Sequence, residues 1–241
     1  MAANSLLIGG PVWKRNWILP TWFEHVEAAA ERAEVTPSYL FITDKSLDPH
    51  SVAVIEDEAF RRDRDFEVIH FPQGDRPDRR DWPVKGRKET MVALRNLLLA
   101  RVREIGPDFF LSLDSDILLH PDAISSLMQD AARFDAIGGK CFMTVTGTNY
   151  PSCARVNEHG LLHEREDAEG SAFPMQVIMA IKLMRSTAYN IDYVYHPKGE
   201  DVGWSLECEK AGLKLGWDCK VCSKHVMGEQ WFGKFDDRCG F

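Results

Sequence analysis

Continuous apolar runs alternate along this chain with segments whose apolar residues recur at helical spacing. Leu6-Leu7-Ile8, Tyr39-Leu40-Phe41-Ile42-Thr43 and Phe109-Phe110-Leu111-Ser112-Leu113 lack the regular polar alternation of half-exposed strands, so they read as strands covered on both faces. Phe66 to Phe71 reads as a further strand, and the first strand is expected to break at Gly9-Gly10-Pro11. Thr21-Trp22-Phe23-Glu24 has capping-box spacing and predicts an Ala-rich helix to about Val35. Gly86 to Ile105 predicts a long amphipathic helix with Met91, Leu94, Leu98 and Val102 on one stripe. Strands alternating with helices predict an α/β fold, a mostly parallel sheet with helices on both faces.

The second half is less regular. Pro121 should open a helix, and Ile137-Gly138-Gly139 and Cys141 to Val145 should be strands. Residues 146–172 look polar and loop-rich, with Asn149, Tyr150, His159 and His163. Gln176 to Met184 is an apolar strand by pattern, Glu200-Asp201 opens a helix ending at Gly212, and Leu213 to Val221 is a last strand with His225 just past it. No repeat or linker divides the 241 residues, so a single domain is expected.

Composition narrows the function classes. No apolar stretch is long enough to span a bilayer, and the start, Met1-Ala2-Ala3-Asn4-Ser5, lacks the basic and apolar regions of a signal peptide. A cytoplasmic protein is therefore expected, with no membrane partner and with its six cysteines reduced. The net charge of −8 argues against broad non-specific binding of nucleic acid but allows a local basic groove. The Pro-rich loop at 72–85 carries Arg76, Arg79, Arg80 and Lys85.

The candidate chemistry begins at Asp114-Ser115-Asp116, directly after the apolar run 109–113. Residues two apart on an extended chain point the same way, and ligands of open α/β sheets sit beyond the carboxyl ends of strands. The pair is thus placed to hold a divalent cation, and through it a diphosphate. Asp-x-Asp is a short motif, and a second copy, Asp63-Arg64-Asp65, lies in an Arg-rich stretch that reads as solvated surface. Cys219-x-x-Cys222-x-x-His225 has the spacing of half a zinc site, which Cys208 or Cys239 would complete. A buried thiol in an apolar strand is the plainer reading of Cys219.

Three features in order resemble the nucleotide-diphosphate-sugar glycosyltransferases of the GT-A fold. They are a strand ending in Asp114-Ser115-Asp116, an acidic pair opening a C-terminal helix (Gly199-Glu200-Asp201-Val202-Gly203-Trp204), and a following strand that leads to His225. Leu7-Ile8-Gly9-Gly10-Pro11 and Phe41-Ile42-Thr43-Asp44 are similar to the nucleotide-binding strand ends of that fold. The resemblance implies a single GT-A domain in which residues 1–120 bind the nucleotide sugar and residues 121–241 bind the acceptor and carry catalysis. It implies metal ligation by Asp114, Asp116 and His225, with Mn²⁺ or Mg²⁺, the histidine tilting the choice toward Mn²⁺. It implies catalysis by the pair Asp201 and Glu200, Asp201 foremost as general base. It assigns donor contacts to Pro11, Asp44, Arg87, Asp114 and Ser115, with a UDP-sugar as the expected donor.

Lys45, Lys85 and Arg95 are further candidates for the donor, and Trp13 and Trp204 for stacking on sugar or base. Acidic residues at a helix start also have a plain electrostatic reading through the helix dipole. The acceptor is a hydroxyl of a glycan, of a protein, or of a hydroxymethylated DNA base such as hydroxymethylcytosine, which a phage-type enzyme would flip out. Two alternatives stand beside the transferase. One is a sugar-nucleotide nucleotidylyltransferase, with Gly9-Gly10 and Lys14-Arg15 as an incomplete phosphate loop; the other is a zinc-stabilised binding module.

Overall fold

Alternate residues of each central strand enter opposite cores. The computed structural model describes residues 5–72, 84–145, 148–158, 160–162 and 172–231. Its first half runs β1 (Leu6–Pro11), α1 (Leu19–Arg32), β2 (Pro37–Thr43), α2 (Pro49–Arg61), β3 (Phe66–His70), α3 (Val84–Ile105) and β4 (Phe109–Leu113). Leu6, Ile8, Tyr39, Phe41, Leu111 and Leu113 pack with Trp22, Phe23 and Ile55 of α1 and α2 on one face. Leu7, Leu40, Ile42 and Phe110 pack with Leu94, Leu98 and Val102 of α3 on the other. Burial on both faces is why these strands read as unbroken apolar runs.

The second half runs β5 (Ile117–Leu118), α4 (Ala123–Asp130), β6 (Ala136–Val145), β7 (Thr148–Pro151), β8 (Cys153–Asn157), β9 (Gly160–Leu162), β10 (Ala172–Pro174), β11 (Val177–Ile178), β12 (Ile181–Met184), α5 (Ser186–Tyr189), α6 (Glu200–Lys210) and β13 (Leu215–His225). The main sheet has the order β10-β13-β6-β12-β4-β1-β2-β3, with β5 on β13 and β7 on β6. β3, β2, β1 and β4 are parallel, β12 inserts antiparallel between β4 and β6, and β13 is parallel to β6. This is a mixed, mostly parallel α/β sheet with helices on both faces, in one domain, as the sequence pattern and the GT-A resemblance implied.

Several expectations are corrected. β1 does not break at Gly9-Gly10 but continues to Pro11. The glycines are there for close approach: a Cβ on Gly9 would lie 1.7 Å from the Leu40 carbonyl oxygen, and one on Gly10 2.5 Å from that of Leu113. α1 starts at Leu19 without a side-chain cap and with Pro20 in its first turn, so Thr21 lies inside the helix and no capping box forms. α4 begins two residues beyond Pro121, and residues 136–145 form one strand instead of two. The stretch read as loop contains β7, β8 and β9, and the strand read over 176–184 is divided at Ala180, whose φ is +64°. His225 is the last residue of β13, not past it. Arg76, Arg79, Arg80, His159, His163 and Cys239, with the side chain of Lys85, lie outside the described residues.

Candidate active site

β4 ends at Leu113, and the chain then turns: the Ile117 amide donates to the Asp114 carbonyl at 3.1 Å. The Asp-x-Asp triplet therefore sits in a turn, not on an extended strand, and its carboxylates do not point alike. Asp114 continues the face of Phe110 and Ser112 toward α3. There Arg95, 2% exposed, donates to Asp114 Oδ1 at 2.8 Å and to Ser112 Oγ at 3.3 Å. Asp116 faces the other way. Arg15 Nη2 lies 2.6 Å from Asp116 Oδ2, and His225 Nε2 lies 3.3 Å from Asp116 Oδ1.

Each partner is placed by a local device. Lys14, at φ +52°, donates its amide to Asp48 Oδ2 at 2.6 Å, and the Arg15 amide donates to Ser51 Oγ at 2.9 Å. The N-terminus of α2 thereby pins the turn that carries Arg15. His225 pairs with Ile117 in the β13–β5 register, and the Val226 amide donates to the Asp116 carbonyl at 2.8 Å. Ser115 Oγ donates to the Pro11 carbonyl at 3.2 Å, joining the ends of β1 and β4.

A cleft of about 290 Å³ opens there, lined by Pro11, Trp13, Arg15, Met91, Arg95, Asp114, Ser115, Asp116, Glu200 and His225. It thus collects Pro11, Asp114, Ser115, Asp116, Glu200 and His225 from the expected site. Asp44 and Arg87 do not line it. Asp44 Oδ1 accepts the amides of Ser46 and Leu47 at 3.0 and 3.3 Å, so this carboxylate shapes the turn after β2. The Lys45 amide donates to His70 Nδ1 at 3.0 Å, and the Trp204 ring is fully buried against Tyr193, which removes it as a sugar-stacking surface.

Arg15 and Lys182 matter more than the sequence suggested. Lys182 has no exposed surface and reaches Asp201 Oδ1, while its ammonium sits 5.3 Å from the Tyr193 ring and 5.6 Å from that of Trp204. The only sequence signal was a lysine inside the apolar run Val177 to Met184. Glu200 Oε1 accepts from Arg95 Nε at 3.2 Å.

The charges are mutually set. Burial works against the Asp116 carboxylate, but His225 and Arg15 outweigh it and hold its carboxyl below the usual range. Burial likewise disfavours the His225 imidazolium, and the hydrogen bond and charge of Asp116 outweigh it and raise the histidine above its ordinary value. His225 Nδ1 is buried without a hydrogen-bond partner among the described residues.

A carboxylate and an imidazole facing each other on a cleft wall fit a divalent cation such as Mn²⁺. Among the described residues no cluster of three or more His, Cys, Asp or Glu groups forms a ready cage. A cation would therefore draw its remaining ligands from a bound diphosphate and water, the usual habit of hard cations at nucleotides. Among the described residues the zinc half-site gains no completing ligands. Cys219 is a buried thiol, and His225 serves Asp116. Asp63 and Asp65 are exposed, as expected of solvated surface, while Arg64 between them is half-buried and pairs with Glu27 at 2.9 Å.

No protein-family model and no curated protein matches the sequence. Solved structures do match in fold. An apo UDP-glucose pyrophosphorylase aligns with TM-score 0.51 and 11% identity over 89% of this chain and 90% of that chain. A mannosyltransferase from Pyrobaculum calidifontis, in complex with GDP-Man and Mn²⁺, aligns with TM-score 0.55 and 9% identity over 95% of this chain. The alignment spans 59% of that enzyme's length. Glucosyl-3-phosphoglycerate synthase from Mycobacterium tuberculosis, with Mn²⁺, UDP and glucosyl-3-phosphoglycerate, aligns with TM-score 0.51 and 12% identity over 97% and 76% of the two chains. At these identities the likeness shows the fold. No helix among the described residues is long and apolar enough to cross a membrane.

Proposed function

We propose that this protein is a metal-dependent glycosyltransferase that moves a sugar from a nucleotide-diphosphate donor, a UDP-sugar by expectation, to an acceptor hydroxyl. The observation that carries the reading is the convergence of Asp114, Asp116, His225, Arg15 and Glu200 on one cleft at the carboxyl ends of β1 and β4. The fold likeness to structures holding GDP-Man or UDP with Mn²⁺ supports it.

Asp116 and His225 would hold the cation, with Asp114 beside it. The cation would supply Lewis-acid stabilisation of the leaving diphosphate. Arg15 adds a fork of donors suited to phosphate oxygens. Pro11 and Ser115 border the donor's place, and Asp44 and Arg87 belong to its periphery. In the transfer, the acceptor oxygen bonds to the anomeric carbon as the bond from that carbon to the diphosphate oxygen breaks. The electron pair leaves with the nucleoside diphosphate, and the acceptor proton passes to a carboxylate of the Glu200-Asp201 pair. Residues 1–120 supply most of the donor side and residues 121–241 the acceptor side.

Lys88 donates to the Pro197 carbonyl, and partial burial, Lys88 and Lys198 together hold His196 below its ordinary pKa. Two lysines thus stand near His196 beside the start of α6, which supports an acceptor carrying negative charge. Hydroxymethylated DNA would satisfy that requirement.

The test is release of nucleoside diphosphate from a panel of nucleotide sugars with Mn²⁺ or Mg²⁺, with and without EDTA, first alone and then with hydroxymethylcytosine duplex. Metal-dependent release from one donor is the expected result. Release of pyrophosphate when a nucleoside triphosphate and a sugar 1-phosphate are supplied instead would favour the nucleotidylyltransferase reading, which the pyrophosphorylase likeness and Arg15 beside Asp116 support. No release and no donor binding by calorimetry would sink both.

A further inference from the structure

Glu200 and Asp201 are adjacent at the first turn of α6, and their side chains have similar exposure, 17% and 14%. Their partners are what separate them. Glu200 lines the cleft and spends one oxygen on Arg95, leaving Oε2 without a hydrogen bond among the described residues. Asp201 does not line the cleft, and both its oxygens are engaged. Lys182 holds Oδ1, the Ala180 amide donates to Oδ2 at 3.4 Å, and Arg95 Nε stands 4.0 Å from Oδ1.

Lys182 is itself fixed from every side. The β12–β4 register sets it against Ser112, and the β12–β6 register sets it against Gly138. Tyr193 and Trp204 enclose its ammonium. A lysine with no exposed surface requires a paired anion, because an unpaired buried charge carries a large desolvation penalty. Ala180 completes the arrangement. Its φ of +64° is costly for a residue with a Cβ, and in that conformation its amide meets Asp201 while its carbonyl accepts the Asp114 amide at 3.2 Å. One strained peptide segment therefore ties α6 to the turn after β4.

We propose that Asp201 is a positioning residue, locked by Lys182 and Ala180 behind the cleft, and that Glu200 is the carboxylate that receives the acceptor proton. This rests on the transferase reading and reverses the order the resemblance implied. It also agrees with the charge balance: burial would raise the Asp201 pKa, but Lys182 and Arg95 outweigh it and hold the carboxyl below the usual range, which makes it a weak base.

The experiment compares Glu200→Gln, Lys182→Met, Asp201→Asn and the double variant Lys182→Met/Asp201→Asn. Read-outs are thermal melting, donor affinity by calorimetry, and kcat and KM for nucleoside diphosphate release. Glu200→Gln should melt like the wild type and bind donor within about threefold, yet lose roughly 10²–10⁴-fold in kcat. Each single variant of the Lys182–Asp201 pair should melt lower. The double variant should recover melting, since removing both charges together leaves no orphan, and should keep release within about tenfold of wild type. Lys182→Arg should rescue melting in part, keeping the positive charge.

A folded double variant as inactive as Glu200→Gln would overturn the proposal and return the proton to Asp201. Glu200→Gln with kcat within about tenfold of wild type would overturn it even if the double variant fails to fold. A wild type that releases no nucleoside diphosphate from any donor would instead overturn the transferase reading itself, so the two failures are distinct.

Discussion

The end of β4 and the start of α6 each bring two acidic residues to one neighbourhood, and the backbone treats the two pairs differently. The turn at Asp114-Ser115-Asp116 splays its carboxylates to Arg95 and to Arg15 and His225, yet both stay on the cleft wall. Neighbours on a helix diverge by about 100°, so Glu200 can meet the cleft while Asp201 meets Lys182. Equal chemistry in sequence thus becomes unequal chemistry in space. One pair keeps both carboxylates on the cleft wall; the other divides them between cleft and scaffold.

The comparison breaks most visibly at Lys182. Lys182→Met alone should destabilise the fold by about 3–5 kcal/mol in urea unfolding, because Asp201 keeps its charge without its partner. A loss under about 1 kcal/mol would mean the pair is effectively solvated. Next in size, Asp116→Ala should cut metal-dependent nucleoside diphosphate release about 10²–10³-fold with the circular dichroism spectrum unchanged. Retention of most activity would remove Asp116 from the proposed cation site.

The pH dependence sharpens the contrast further. In the wild type the Asp201 carboxyl is depressed, so its stabilisation is present above about pH 4, the unfolded value, and is lost only as the pH falls through the lower folded value. In Lys182→Met, burial should raise that carboxyl against Arg95 and the Ala180 amide. The folded variant then holds more protons than the unfolded chain, and its stability falls as the pH rises. The gap between variant and wild type should widen from pH 4 to pH 7, by about 1.4 kcal/mol for each unit by which the variant's folded carboxyl value lies above about pH 4. A gap constant across that range would show that Asp201 does not titrate as described.

The smallest effect belongs to Ala180→Gly, which relieves the positive φ but frees the unfolded chain. Stability should change by no more than about 1 kcal/mol in either direction. A larger loss would show that the Ala180 methyl packs more than the bracket requires.

Much of the fold was legible in the sequence because strands buried on both faces leave long apolar runs. β1, β2, β4 and α3 fall close to where those runs and the Leu94–Leu98–Val102 stripe placed them. Among the elements the pattern missed, β7, β8 and β9 lie in a polar stretch, and only their pairing in antiparallel hydrogen-bonded ladders makes them strands. The division at Ala180 was invisible because a single residue in the left-handed region carries no periodic signal.

The sequence alone determined which chemistry was available: two carboxylates after a buried strand, an acidic pair opening a helix, and a histidine just past the last expected strand. Only the tertiary structure decided how those groups are used. Turn geometry sent Asp114 and Asp116 to different cations, the β13–β5 register delivered His225 to Asp116, and the β12–β4 register buried Lys182 beneath Asp201. The physical reason is that a charged group's reactivity depends on which partner neutralises it. Those partners come from residues as far apart as Arg95 and Glu200, or Arg15 and Asp116, whose proximity no local pattern encodes.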